Sequence, residues 1–353
     1  MNAIQETAGK SNLLPLPEGE RVGERAVLLV NVGTPEAPTV PAVRKYLAQF
    51  LNDPRVIDLP TIFRWLLLNL IILPFRPAKS AHAYQQIWTP EGSPLLVNSN
   101  KQIDALRAAL PEFQVELAMS YGKPSMPEAL AKLQSRGAKH ITLVPMYPQY
   151  ASATTGGTVE AWHRLLGDQI QPPATAVLPA FHALPAFIDA SAERIRETVA
   201  ASKAEHLLFS FHGLPIRQLR PVCLATAAGE PCGPLGPTHQ HCYRAQCLAT
   251  SEALIKATGL TIPTSTAFQS RLKGATWLSP FTDEAVVELA KRGVKRLAVA
   301  CPSFVADCLE TLEEIGLRAA DTFREAGGES LTLVPAVNSS PRFISGLADE
   351  LRR

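Results

Sequence analysis

The sequence carries almost no net charge and begins with a segment that is poor in apolar residues. Its 34 Lys and Arg residues nearly balance 32 Asp and Glu residues, which leaves a formal charge of +2 at pH 7. Because nucleic-acid-binding surfaces need clustered basic residues, no nucleic-acid partner is expected. Residues 1–24 lack the apolar core of a secretory signal, so we interpret them as a flexible tail and expect a cytoplasmic location.

A hydrophobic run of membrane-spanning length is also missing. The apolar stretch at residues 62–75 contains an uncharged run from Trp65 to Phe75, which falls short of the ~20 residues that cross a bilayer. Its composition fits three interpretations: a core helix, the lip of an apolar pocket, or a segment that lies in a membrane interface. A glycine fingerprint of the GxGxxG kind is absent after the first predicted strand, so a dinucleotide site is not expected.

Short aliphatic runs alternate with helical patterns along the chain. The predicted strands are Ala26–Asn31, Val115–Met119, His140–Val144, His206–Phe211, Arg296–Ala300 and Leu331–Val334. Helical periodicity fills most of the gaps, for example at Glu128–Arg136 and Glu284–Arg292. This alternation predicts an α/β protein whose parallel sheets are flanked by helices on both faces.

An internal repeat predicts that the sheets form two similar lobes. At one constant offset, Pro124 matches Pro280 and Gly137 matches Gly293, with similar helices and strands around them. Chance similarity between helix–turn–strand units is the alternative, because such units share composition. We therefore predict two doubly wound, Rossmann-like lobes with a ligand cleft at the carboxyl ends of their strands.

Residues 301–314 combine several acids with the end of a predicted strand. If that strand runs directly into a helix, then Asp307, Glu310 and Glu314 share one helical face, whereas Glu313 points into solvent. Such a line of carboxylates could move protons or a cation. The alternative is a solvated first turn whose acids complement the helix dipole.

Two further strand ends carry candidate site residues. His212 ends a buried strand, where an imidazole could take up a proton or hold a cation, or could be a hydrogen-bonded structural residue. Residues 143–158 combine Tyr147 and Tyr150 with a turn that is rich in hydroxyls and glycine. They suit an aromatic wall above an anion cradle, or a loop punctuated by Pro and Gly.

Six segments in the same order resemble the ferrochelatases, which insert ferrous iron into a porphyrin. Phe209-Ser-Phe-His-Gly-Leu-Pro215 looks like the family signature. The other similar segments are residues 29–35, 50–56, 147–156, 268–271 with 277–278, and the acidic stretch at 301–314. The similarity extends from about Val27 to about Leu347.

The resemblance implies a class II chelatase-like fold and the insertion of Fe²⁺ into protoporphyrin IX, the last step of haem synthesis, with release of two protons. It assigns His212 to one side of the macrocycle as proton acceptor or iron contact. The acids that would relay protons or guide iron are Glu310, Glu314 and Asp307. The positions that match pocket-lining segments are Tyr121, Tyr147, Ser93, Pro94 and Trp277. The apolar stretch 62–75 matches the pocket lip, which the family also uses at membrane surfaces.

Two positions depart from the family pattern. Cys308 stands where the family often has histidine, so a relay through that position is in doubt. Ser120 stands where the family commonly has arginine, so one cationic contact to a porphyrin propionate is in doubt. The residues that could substitute for this cation are Arg44, Lys45 and Arg55.

Four of the six cysteines lie within 25 residues, at Cys223, Cys232, Cys242 and Cys247. In a cytosolic chain such clustering favours a metal over disulfides, and four thiolates suit a [2Fe–2S] cluster or zinc. The nearby His239 and His241 keep zinc open, and unliganded thiols are a third interpretation. The resemblance favours the cluster, because some bacterial ferrochelatases are thought to hold one in an internal segment of this kind.

We expect a tail (1–24), an N-terminal lobe (25–180) with the lip at 60–95, and a C-terminal lobe (181–336). The latter contains the cysteine-rich insertion (221–247), and a last helix (337–353) is expected to pack back on the N-terminal lobe. A monomer and a homodimer both remain open. The rival functions are metallation of another tetrapyrrole, such as coproporphyrin or a sirohydrochlorin-type ring, and a carrier without chelatase activity.

Overall fold

Two parallel sheets of four strands form the framework of the molecule. The computed structural model describes residues 23–219, 235, 240–271 and 276–353. The first sheet consists of β1 (Arg25–Gly33), β2 (Gln114–Tyr121), β3 (His140–Pro145) and β4 (Ala174–Val177). The second consists of β5 (His206–His212), β6 (Thr264–Gln269), β7 (Arg296–Ala300) and β8 (Ser330–Leu333).

The two sheets share one topology. Their strand orders are β2-β1-β3-β4 and β6-β5-β7-β8, and the paired strands are parallel. In both sheets the first strand along the chain is therefore central, with the second on one side and the third and fourth on the other. The predicted fold class of two similar α/β lobes is confirmed.

Helices cover the sheets in both halves of the chain. The first half contains α1 (Val40–Leu51), α2 (Thr61–Leu66), α3 (Leu73–Ile87), α4 (Pro94–Ala109), α5 (Met126–Ser135) and α6 (Gly157–Gly167). The second half contains α7 (Pro185–Ser202), α8 (Ile216–Leu219), α9 (Tyr243–Thr258), α10 (Thr282–Lys291), α11 (Leu309–Leu312), α12 (Ala320–Glu325) and α13 (Pro341–Arg352). Wider π-helical turns occupy Leu67–Ile72, Ser152–Gly156 and Glu314–Ala319.

The internal repeat of the sequence corresponds to one structural unit in each lobe. Helices α5 and α10 each end before a glycine with positive φ, Gly137 at 85° and Gly293 at 95°. Glycine suits these positions because a Cβ disfavours the left-handed conformation. Strands β3 and β7 then follow in corresponding places, so the repeat reflects a common helix–turn–strand unit.

Two strands were missed by the sequence analysis. Strand β4 is only four residues long and largely exposed, and β6 reads Thr-Ser-Thr-Ala-Phe-Gln, with few aliphatic residues. Both therefore lack the apolar runs by which the other strands were recognised. The six predicted strands are present, with bounds that differ by no more than two residues at either end.

The apolar stretch at residues 62–75 belongs to a much longer helix than its uncharged run indicated. One continuous helix spans Thr61–Ile87, and its length and composition would suffice to cross a membrane, although one such helix is weak support for a span. Most apolar side chains of residues 62–75 are exposed, up to 76% for Phe75, and Leu68 is the buried exception. The core-helix interpretation of this stretch is therefore wrong.

Side chains from the first lobe hold the loops at the end of the second. Gln102 on α4 donates from Nε2 to the carbonyl oxygens of Val305 and Asn338, at 2.9 and 3.0 Å. Gln149 donates to the carbonyl of Pro302 at 3.2 Å. An apolar core also continues from one lobe to the other.

The last helix, α13, packs against α4 of the first lobe and against α7. Its buried side chains are Phe343, Ile344, Leu347, Ala348 and Leu351. Near its end, Arg352 donates to Glu112 at 2.7 Å and to the carbonyl of Ala109 at 2.6 Å. These contacts attach the chain end to the first lobe as well as to the second.

Candidate active site

His212 is the last residue of β5, the central strand next to β6 and β7. The preceding six residues of the strand are buried, whereas His212 is partly exposed at its carboxyl end. Its amide donates to Ser303 Oγ at 3.3 Å, and its carbonyl accepts from the Tyr243 hydroxyl at 2.8 Å. The backbone that carries the imidazole is thus held from two neighbouring elements.

The His212 ring is oriented by its own turn. Nδ1 lies 2.7 Å from the carbonyl oxygen of Gly213. A carbonyl oxygen can only accept, so the proton of the neutral ring lies on Nδ1 and Nε2 presents a lone pair. Phe304 packs edge-on against the ring, with centroids 6.3 Å apart. The arrangement suits a base or a metal contact at Nε2.

The acidic stretch does not run straight from a strand into a helix. Cys308 is extended, with φ −145° and ψ −170°, and α11 begins only at Leu309. Asp307 therefore lies outside the helix, and the predicted common helical face for Asp307, Glu310 and Glu314 is wrong. The reason is local. Thr311 Oγ1 accepts a hydrogen bond from the Cys308 amide at 3.0 Å, and this contact makes Cys308 the N-cap of a helix that begins at Leu309.

Asp307 is buried and fully engaged. Its Oδ1 accepts from Thr311 Oγ1 at 3.0 Å and from the Ala336 amide at 3.2 Å, and its Oδ2 accepts from Asn338 Nδ2 at 2.7 Å. A carboxylate with both oxygens bonded in this way holds neighbouring loops together. Sequence spacing alone could not reveal these partners.

Glu310 faces residues of the first lobe. Burial, and next the negative charge of Glu310, raise the pKa of the Tyr84 hydroxyl well above its usual value. Burial raises the pKa of the Cys308 thiol in the same way, and Glu310 adds to it as a neighbour and hydrogen-bond partner. Arg76, on the helix that carries the lip, attracts the same carboxylate. Glu310 therefore lies where the two lobes meet, and Arg76 is a cation that the sequence analysis missed.

Glu314 and Glu313 have different partners. Glu314 accepts from the amide and the hydroxyl of Ser270, at 2.9 and 2.6 Å. Glu313 accepts from Arg318 at 3.0 Å, and its side chain is only 13% exposed. The prediction that Glu313 is simply solvated is therefore wrong.

The acids and the histidine are brought together by β6. Gln269, the last residue of β6, is the register partner of His212 on β5. Its Nε2 donates to the carbonyl oxygen of Glu310 at 2.8 Å. Because neighbouring strands lie about 4.8 Å apart, His212 and the turn at Glu310 occupy the same end of the second sheet.

Two predicted aromatic residues present protonated hydroxyls. The Tyr121 hydroxyl donates to Asp53 Oδ2 at 2.8 Å, and burial raises its pKa well above the usual value. Burial raises the pKa of Tyr147 to about 12, and hydrogen bonds with Ser120 and Thr158 oppose the rise. Both groups remain neutral at physiological pH and can donate or accept hydrogen bonds.

The remaining lining candidates lie in both lobes. Ser93 is buried and accepts from Thr34 Oγ1 at 2.7 Å, and Pro94 begins α4. Trp277 pairs with Pro215, just past the histidine turn, and its indole nitrogen is buried without a hydrogen-bond partner among the described residues. An unpartnered buried donor beside His212 is the kind of group that a ligand can satisfy.

The three candidate cations differ in how far they are engaged. Arg44 and Lys45 are exposed, and Lys45 pairs with Glu36 at 3.2 Å. Arg55 donates to Glu160 at 2.5 Å and to Ser152 at 2.7 Å. Arg55 therefore anchors the start of α6, whereas Arg44 keeps its guanidinium in solvent.

Two residues of the cysteine-rich motif can be described. Cys223 and Cys232 lie outside the described residues, while Cys242 and Cys247 are both fully buried at the start of α9. Burial raises the pKa of the Cys247 thiol well above its usual value, and Cys242 contributes as a neighbour. Within the described ranges, no three His, Cys, Asp or Glu side chains come together as a metal site.

Comparison with known proteins identifies relatives along the whole chain. The family model described as Ferrochelatase matches residues 24–353. A protein named ferrochelatase from Coxiella burnetii is 42% identical over 344 residues, which cover 96% of this chain and 95% of the relative. A ferrochelatase from Legionella pneumophila is 44% identical over 325 residues, with 92% of this chain and 97% of the relative covered.

Solved structures show the same architecture at low identity. SirB from Bacillus subtilis with Fe³⁺ aligns with a TM-score of 0.52 at 11% identity, covering 93% of this chain and 94% of that chain. DR2241 from Deinococcus radiodurans aligns with a TM-score of 0.50 at 12% identity, over 94% of this chain and 56% of that one. These two likenesses concern the fold alone. By its full-length family match and its close relatives, the chain belongs to the ferrochelatase family.

Proposed function

We propose that this chain inserts Fe²⁺ into protoporphyrin IX, with His212 on one side of the macrocycle and Glu310 and Glu314 on the other. The observation that carries the proposal is the shared strand end. There an imidazole with its lone pair on Nε2 is joined through Gln269 to the turn that bears the acids. A porphyrin carrier needs a pocket and an axial ligand, but it has no use for carboxylates held beside the histidine.

Metal insertion requires groups that accept the protons of the porphyrin. Two pyrrole N–H bonds break, all four ring nitrogens bind the iron in place of its water ligands, and two protons leave for protein bases and then water. Nε2 of His212 is placed to accept a proton, and the carboxylates of Glu310 and Glu314 suit a divalent cation or a proton. Asp307 stays a predicted member of the relay, but its oxygens already accept three hydrogen bonds.

Substrate identity is tested by anaerobic titration of the purified protein with Fe²⁺ and either protoporphyrin IX or coproporphyrin. We expect haem formation with protoporphyrin, because exposed apolar side chains along Thr61–Ile87 suit a ring with few carboxylates. A clear preference for coproporphyrin would show that coproporphyrin, and not protoporphyrin IX, is the substrate. Porphyrin binding without any metallation would favour the carrier.

We further propose that the lip rests on a membrane surface. Ile62, Phe63, Trp65, Leu70, Ile71 and Phe75 all expose more than half of their surface. Contiguous exposed apolar side chains of this size mark membrane or partner contacts in water-soluble proteins. The exposed Lys79 would remain at the headgroups while the apolar side chains enter the interface.

Replacing Phe75 with glutamate should weaken membrane attachment. Burial of one large apolar side chain contributes about 1.5–3 kcal/mol, so binding should fall by roughly tenfold or more. Flotation with vesicles of neutral and anionic phospholipid measures the effect. Ile170→Glu is the matched control, since Ile170 is fully exposed outside this helix. Equal flotation of wild type and Phe75→Glu would contradict the lip proposal.

We also propose that Cys223, Cys232, Cys242 and Cys247 hold a [2Fe–2S] cluster, with zinc as the alternative. Cys242 and Cys247 are buried and adjacent, which fits a site that excludes water. Thiols in such surroundings resist ionisation unless a cation compensates the charge, and iron or zinc would supply it. When bound, a cluster of this kind absorbs visible light and can take up one electron.

Purified protein should be reddish-brown, and Cys232→Ser should bleach it. Loss of one thiolate removes a ligand, so visible absorbance, iron and acid-labile sulfide should fall together. Cys301→Ser is the matched control because Cys301 is also buried but lies outside the motif. Stoichiometric zinc without labile sulfide would establish the alternative instead.

A further inference from the structure

The end of β6 is locked to the histidine turn through its backbone. The Gly213 amide donates to the carbonyl oxygen of Gln269 at 2.8 Å. A Cβ at position 213 would lie 2.7 Å from that same oxygen, so only glycine permits this approach. Movement of Gln269 would therefore be transmitted directly to the turn that orients the His212 ring.

The Gln269 side chain links this turn to the acids. It is only 3% exposed, and its Oε1 accepts from Ser210 Oγ at 2.7 Å. Its Nε2 donates to the Glu310 carbonyl, which fixes the orientation of the amide because a carbonyl oxygen cannot donate. One buried amide thereby spans from β5 to the first turn of α11.

The next residue holds the second acid. Ser270 uses both its amide and its hydroxyl on the two oxygens of Glu314. The backbone of Ser270 has a φ of +67°, a conformation that residues other than glycine rarely adopt. Glycine would fit this backbone more easily, but it has no hydroxyl to donate. Strain retained at such a position points to a function of the side chain.

We propose that Gln269 and Ser270 are positioning residues for metal insertion. Gln269 sets the distance between the His212 turn and Glu310, and Ser270 fixes the direction of the Glu314 carboxylate. Both act through other groups rather than on the porphyrin or the iron. The inference rests on the proposed function, in which Glu310 and Glu314 are the working acids.

The test compares Ser270→Gly with Ser270→Ala. Both remove the hydroxyl and keep the amide, but glycine also relieves the positive φ. We expect both variants to lose about tenfold or more in kcat, since a hydrogen bond to a carboxylate is lost. Ser270→Gly should nevertheless melt at a higher temperature than Ser270→Ala. Porphyrin affinity, measured by fluorescence titration, should stay at the wild-type value in both.

A double-mutant cycle separates positioning from general structural damage. If Ser270 acts through Glu314, Ser270→Gly should change kcat by less than about twofold in a Glu314→Gln background. Full turnover of Ser270→Gly, or the same loss in both backgrounds, would overturn the proposal. So would wild-type turnover of Glu314→Gln. Failure of the proposed function itself looks different, because the wild-type protein would then form no haem.

Gln269→Met tests the other half of the proposal. Methionine is close to glutamine in volume but neither donates nor accepts, so the link to the Glu310 turn is lost. We expect a lower kcat and a higher KM for Fe²⁺, with KM for the porphyrin unchanged. Gln269→Glu, which keeps the acceptor for Ser210 and loses the donor, should not restore kcat. Restoration by Glu, or equal rises in both KM values, would show that the amide only supports the fold.

Discussion

Replacing His212 with alanine is expected to abolish iron insertion while leaving porphyrin binding largely intact. The ring presents Nε2 as a lone pair because Nδ1 is held against the Gly213 carbonyl. Loss of a positioned proton acceptor typically lowers turnover by about 10²–10⁴-fold. Anaerobic haem formation measures turnover, and quenching of porphyrin fluorescence measures binding.

His206→Ala is the matched control because His206 begins the strand that His212 ends. Five residues of β5 separate the two, and the six steps along the strand span about 20 Å at the usual rise per residue. His206 is buried and lies 2.8 Å from Ser265 Oγ, so its removal should cost about 1–2 kcal/mol of stability without affecting turnover. Wild-type-like turnover of His212→Ala would remove this histidine from the mechanism.

The stable parts of the fold were predictable because they follow from apolar patterns. Strands β1, β3, β5 and β7 are mostly apolar and mostly buried, as is typical of strands that are covered on both faces. Strand β6 escaped detection because only Ala267 and Phe268 among its six residues are apolar. Yet β6 carries Gln269 and leads directly into Ser270, so a weak sequence signal belongs to the element that joins the site.

The geometry of the acids could not be predicted from spacing. A helical wheel assumes that the helix is already present at Asp307, whereas the chain is still extended at Cys308. The backbone then widens into a π-helical turn at Glu314, which changes the residues that share a face. Partners such as Ser270 and Asn338 come from distant segments, and only the folded chain brings them to Glu314 and Asp307.

Replacing Glu310 with glutamine should lower turnover by about 10²-fold or more without weakening the fold. The carboxylate is partly buried near Tyr84 and Cys308, and glutamine keeps the shape of the side chain while it removes the charge. The melting temperature should stay close to the wild-type value, while anaerobic haem formation falls.

Glu313→Gln provides the comparison within the same helical turn. Glu313 is largely buried and bonds to the exposed Arg318, so its neutralisation should cost about 1–3 kcal/mol of stability but should spare turnover. The two variants make the same chemical change but should differ in turnover, because Glu310 lies near Arg76 and Tyr84 of the first lobe whereas Glu313 bonds to Arg318. If both variants lost turnover equally, the general charge of the turn, and not the placement of Glu310, would be what the reaction needs.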